Sequence, residues 1–66
     1  MKTSLKIERA IKNLTQEELA KQIGVSRQTI NSIETGRYVP STVLALKISQ
    51  IFEKPVNEIF ELEDSD

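Results

Sequence analysis

Apolar residues recur along the chain at helical spacing, in five short runs divided by residues that start and stop helices. The first run is Leu5, Ile7, Ala10, Ile11 and Leu14, read as the inward face of a helix that ends near Asn13, a residue tolerant of the left-handed conformation. Lys6, Arg9 and Lys12 fall on its other sides. Thr15-Gln16-Glu17-Glu18 follows, with the spacing of a capping box, in which a threonine hydroxyl and a glutamate carboxylate three residues later each satisfy a free backbone N–H. Leu19, Ala20 and Ile23 form the stripe of the second helix, and Gly24 stops it. Ser26 is an N-cap for a third helix running from Arg27 to about Thr35, with Ile30 and Ile33 inward and Gly36 closing it. Pro40 holds Val39 extended, Ser41 caps a fourth helix lined by Leu44, Ala45, Ile48, Ile51 and Phe52, and a short turn after Pro55 carries Ile59 and Phe60. The pattern predicts an all-α domain spanning residues 1–66.

Only Gly24, Val25 and Ser26 separate the second helix from the third. Two helices joined by so short a glycine-bearing turn make the unit that sets one helix in the major groove of DNA while the other crosses the backbone. The span from about Gln16 to Thr35 meets both requirements. Gln16 opens the second helix, where a side-chain amide and unpaired N–H groups can meet a phosphate. Arg27, Gln28, Asn31 and Ser32 avoid the Ile30/Ile33 stripe and face outward. Arginine matches guanine O6 and N7, and glutamine or asparagine matches adenine N6 and N7. The first two turns of that helix expose no acid; Glu34 comes toward its end.

The net charge of −1 argues against a nucleic-acid partner until it is divided. The segment 61–66 holds four acids and no base, so the nine Lys and Arg of residues 1–60 face only six acids. A modestly basic body with an acidic, solvated tail is compatible with a local basic face. There is no Cys and no His, which leaves no disulfide framework and no thiolate or imidazole metal site, and no cofactor is expected. No Gly-rich phosphate loop or carboxylate pair in an evident pocket suggests an enzyme. No apolar run approaches the ~20 residues of a membrane helix, and no targeting segment is visible, so a cytoplasmic location is expected. A domain this small has a thin core, for which self-association is the natural supplement. Ile59, Phe60 and Leu62, three large apolar residues near a chain end, suit both core closure and a dimer seam.

The residues Leu14-Thr15-Gln16-Glu17-Glu18-Leu19-Ala20, Ile23-Gly24-Val25-Ser26-Arg27-Gln28-Thr29-Ile30 and Ile33-Glu34-Thr35-Gly36-Arg37 closely resemble the Cro/C1-type (Xre) helix-turn-helix regulators. The likeness continues through Pro40-Ser41 and Leu44-Ala45-Leu46-Lys47-Ile48 to Glu58-Ile59-Phe60, over roughly residues 5–60, and is strongest to short stand-alone members. It implies a five-helix, lambda-repressor-like domain that binds near-palindromic operator DNA as a homodimer and regulates transcription, as a repressor by preference. Arg27, Gln28 and Ser32 resemble base-reading positions. Gln16 and Ser26 resemble phosphate contacts and Arg37 and Tyr38 backbone contacts, to which Thr15 and Thr29 are added. Arg9 and Glu34 resemble a pair that ties the first helix to the third. In some short members the chain ends form paired strands that contribute to a dimer, a role open here to Met1–Ser4 and Phe60–Glu63. Glu8 stands where many members carry an apolar residue. The alternative is an antitoxin that uses this fold to hold a partner toxin and autoregulates its operon.

Overall fold

The computed structural model describes residues 1–66 as five helices and one two-stranded sheet: β1 (Lys2–Thr3), α1 (Leu5–Ile11), α2 (Gln16–Ile23), α3 (Arg27–Glu34), α4 (Thr42–Phe52), α5 (Val56–Ile59) and β2 (Phe60–Glu61). The terminators act as their chemistry requires. Thr15 Oγ1 accepts from the Glu18 N–H while the Glu18 carboxylate accepts from the Thr15 N–H, each at 3.0 Å. Gly24 turns the chain at φ +76°, a conformation that a side chain would strain. Asn13 takes φ +56° after α1, and Ser26 and Ser41 cap α3 and α4 with their hydroxyls.

Eleven apolar residues make one core: Leu5, Leu19, Ala20, Ile23, Ile30, Ile33, Leu44, Ile48, Phe52, Ile59 and Phe60. The stripes read for α2, α3 and α4 are all represented in it. Helix α1 departs from expectation. Ile7 and Ile11 are 62% and 70% exposed and Ala10 is exposed as well, whereas the inward residues are Leu5 and Glu8. The cause is electrostatic. Lys54 Nζ lies 2.7 Å from Glu8 Oε2, and Arg9 Nε lies 2.7 Å from Glu34 Oε2. Residues 5, 8 and 9 share one side of a helix, so satisfying both pairs turns residues 7 and 11 outward.

The chain ends meet. Strands β1 and β2 run antiparallel, with Lys2 opposite Glu61 and Thr3 opposite Phe60. The Ile59 carbonyl accepts from both the Ser4 N–H and the Thr3 hydroxyl at 2.9 Å. The acidic tail is exposed throughout residues 61–66, as expected of a solvated end, and its carboxylates reach the first residue: the Met1 ammonium sits 3.0 Å from Glu63 and 3.1 Å from Asp66. These carboxylates raise the pKa of the ammonium above its ordinary value, chiefly through the Glu63 hydrogen bond. No helix is long and apolar enough to cross a membrane.

Candidate nucleic-acid interface

Helix α3 is oriented by what it buries. With Ile30 fully buried and Ile33 nearly so, a 100° step per residue puts Gln28 at the centre of the outward arc, flanked by Asn31 and Ser32. Arg27, Gln28 and Asn31 are exposed and Ser32 is half-buried. All four residues expected to face bases therefore lie on one surface. Ser26 is engaged locally: its Oγ accepts from the Thr29 N–H at 3.2 Å and lies 3.0 Å from the Thr29 hydroxyl. The two hydroxyls are thereby fixed at the start of the helix.

The loop after α3 folds back on that helix. The N–H groups of Arg37 and Tyr38 both donate to the Ser32 carbonyl, at 2.9 and 3.2 Å, so both side chains start from a point beside the recognition surface. Between α3 and the first turns of α4 lies an open cleft of about 610 Å³, lined among others by Gln28, Ser32, Tyr38, Ser41, Val43 and Lys47. Its only charged lining residue is Lys47. Ser41 was read from sequence only as a helix cap, and neither Val43 nor Lys47 was expected at the recognition surface, yet all three line this cleft. Nothing local marks Lys47, which joins Gln28 on this cleft only through the packing of α3 and α4 on α2.

The other edge of α3 carries a relay of hydrogen bonds. Arg9 donates to Glu34 through Nε and Nη2, at 2.7 and 3.1 Å, and through Nη1 to the Leu14 carbonyl at 2.8 Å. The Glu34 hydrogen bond, together with its charge, lifts the Arg9 pKa above its already high value. Gln16 Nε2 donates to Glu34 Oε1 at 3.1 Å and to Asn31 Oδ1 at 3.2 Å. The pairing of Arg9 with Glu34 thus joins three helices rather than two. The amide nitrogen of Gln16 is thereby engaged within the protein. What the start of α2 offers outward is main-chain N–H, on Gln16 and Glu17, since Thr15 takes that of Glu18.

The three residues expected at a dimer seam part company. Ile59 is 1% and Phe60 6% exposed, both within the core, because α5 and β2 close the bundle over Leu5. Leu62 alone stays at the surface, at 78%.

A bundle that buries one side of a short helix, caps its start after a three-residue turn and leaves its polar side exposed is the helix-turn-helix architecture. A family model described as helix-turn-helix matches residues 5–59. The chain is 54% identical over 66 residues to an uncharacterised HTH-type transcriptional regulator of Methanocaldococcus jannaschii, covering the whole of both. It is 45% identical over 64 residues to the uncharacterised HTH-type regulator YgzD of Bacillus subtilis, covering 97% of each. Among solved structures, the SOS-response transcriptional repressor LexA from Eubacterium rectale superposes with a TM-score of 0.80 at 29% identity, over 94% of this chain and 66% of that one. The chain belongs to the Cro/C1-type helix-turn-helix family of transcriptional regulators.

Proposed function

We propose that this protein is a sequence-specific DNA-binding repressor that reads a near-palindromic operator as a homodimer, with α3 in the major groove. The observation that carries the reading is the outward arc of α3, where Arg27, Gln28, Asn31 and Ser32 form one polar surface without an unpaired acid. Around it lie the Arg37–Tyr38 loop, Ser26 and Thr29, the Thr15–Gln16 start of α2 and the Lys47 side of the cleft, which we read as contacts to the flanking phosphate backbones. One such helix makes too few base contacts for strong specificity, and two copies spaced ~34 Å apart read successive turns. An apolar groove of about 280 Å³, lined by Met1, Val39, Pro40, Leu46, Val56 and Phe60 among others, offers a seam for the second copy, with Leu62 nearby in sequence to the strand pair. It lies immediately beyond the Arg37–Tyr38 loop, on Val39 and Pro40.

Selection of bound sites from random duplex DNA, with the mass of the complex measured alongside, tests this directly. The expected product is a two-fold site bound by two chains, with affinity falling steeply as salt rises because phosphate contacts release counterions. Gln28→Ala should relax the preference at particular base pairs, whereas Arg37→Ala should weaken all sequences alike. Affinity that stays flat between low and physiological salt would overturn the groove-binding reading.

A further inference from the structure

Helix α1 carries an apolar pair that the core does not use. Ile7 and Ile11 stand one turn apart, 62% and 70% exposed, with the exposed Ala10 beside them. They form an outward stripe on a helix that buries Leu5 and Glu8 on its other side. Two ion pairs enforce this rotation, Glu8 to Lys54 and Arg9 to Glu34, both at 2.7 Å. The stripe is therefore a fixed feature of the folded chain.

The charges around it have one sign. Glu8 and Arg9 are taken up by their partners, so α1 leaves in solvent Lys6 and, at its C-cap, Lys12, with no acid between them. At about 100° per residue Lys6 flanks Ile7 on one side and Glu8 on the other, where the part-exposed ammonium of Lys54 covers the carboxylate. Both flanks of the stripe are cationic. Beyond Ile7, the groove along the strand pair holds Lys2, Glu58 and Glu61 and is of mixed charge, so the sign is set along α1.

We propose that the Ile7–Ile11 face of α1 is a docking surface for an amphipathic helix of another protein, one whose apolar stripe is flanked by Glu or Asp. A second copy packed antiparallel would set Lys6 of one chain against Lys12 of the other. Two isoleucines a side also fall far short of the ~800 Å² that a stable dimer buries on each subunit. A bilayer suits longer amphipathic helices that sink into its interface, whereas α1 has seven residues and is tied down along its other side. A longer partner helix supplies the flanking carboxylates and gains further area by running past both ends of α1. Arg9, which faces α3, lies about 200° round α1 from Ile7, so the docked helix and a duplex on α3 occupy different sides of the domain. A regulator held on DNA through α3 thus keeps this face free for an acidic partner, a step that rests on the reading of α3 as the groove-bound helix.

The test titrates the full chain with two synthetic helical peptides of about 15–20 residues, followed by amide NMR shifts. Both carry leucines at i, i+3, i+4 and i+7; glutamates flank the stripe in one and lysines in the other. The glutamate peptide is expected to shift Lys6, Ile7, Ala10, Ile11 and Lys12 and to bind at least about tenfold tighter than its twin. Ile7→Ser combined with Ile11→Ser is expected to weaken it at least about tenfold, with thermal melting showing that the fold persists. Lys6→Glu combined with Lys12→Glu is expected to reverse the order of the two peptides. Equal binding of the two overturns the proposal, as do shifts centred on Val39, Leu46 and Val56 instead of α1. Tighter binding to phosphatidylglycerol vesicles than to the peptide would assign the face to lipid, and a doubled mass that the two serines abolish would assign it to a second copy; either also overturns it. With the chain saturated by its selected duplex the peptide affinity should be unchanged, and a fall beyond about tenfold would overturn the two-sided arrangement. A chain that selects no duplex overturns the DNA-binding reading alone, since the peptide titrations need no DNA.

Discussion

Helices α1 and α3 have nearly the same length, each carries two isoleucines, and they bury opposite things. Helix α3 turns Ile30 and Ile33 into the core and its polar residues outward. Helix α1 turns Glu8 inward and leaves Ile7 and Ile11 in solvent. Apolar periodicity describes the first and fails for the second, because α1 is aimed by two ion pairs that it makes with distant parts of the chain. Its one fully buried residue, Leu5, supplies a hydrophobic anchor, and Arg9 and Glu8 set the rotation about it. A short helix with a single deep anchor has little hydrophobic torque, so charge pairing decides which face goes in.

The contrast between the helices is measurable. Ile30→Ala should have the largest effect: a fully buried side chain is replaced by a cavity at a cost of about 2–5 kcal/mol, a large share of what a domain this small holds. Urea unfolding followed by circular dichroism reads this, and a loss under about 1 kcal/mol would show that the α3 stripe is not what orients that helix. Arg9→Ala should come next, at roughly 3 kcal/mol, since it strips the guanidinium from the nearly buried Glu34 carboxylate and leaves Gln16 as its remaining partner.

Replacing Glu8 is expected to act differently. Glu8→Leu exchanges a buried charge for an apolar side chain, while Lys54, with its side chain 42% exposed, returns to water. Stability should stay level or rise by up to about 2 kcal/mol. The pH profile separates this pair from the others. Lys54 has its pKa raised above the ordinary 10.5, chiefly by its hydrogen bond to Glu8. Its contribution is therefore complete below pH 10.5 and lost as pH rises through the folded value. Glu8→Leu should flatten that alkaline decline in denaturant titrations, and a decline of unchanged slope would assign it to another group. The smallest effect belongs to Ile7→Ser. Although it removes a large apolar side chain from a helix, it should change stability by no more than about 0.5 kcal/mol, since Ile7 is 62% exposed.

How much was legible in the sequence follows the range of the interactions involved. The caps at Thr15, Ser26 and Ser41, the left-handed turn at Gly24 and the stripes of α2, α3 and α4 depend on residues within four positions of one another, and they appear where the spacing predicts them. The outward arc of α3 is also local, because burying Ile30 and Ile33 leaves Gln28, Asn31 and Ser32 no other side. The rotation of α1 was not legible in its apolar periodicity, although the resemblance had pointed to the Arg9–Glu34 pair. It depends on Lys54, 46 residues beyond Glu8, and on Glu34, 25 residues beyond Arg9. Nor was the division of Ile59, Phe60 and Leu62 between core and surface, since an apolar residue near a chain end gives no sign of which it joins.

The local chemistry of this chain therefore specifies a helix-turn-helix and names the side chains that α3 offers. How those side chains are presented comes from assembly. Gln16, at the start of α2, and Asn31, midway along α3, look alike in the sequence, as two surface amides. Packing α1 and α2 against α3 brings a buried carboxylate and its arginine up behind them, and the one-way donation that follows directs both. A linear pattern can state which groups are available. It cannot state which lone pair is already taken, because that is set by groups far apart along the chain that meet only in the folded molecule.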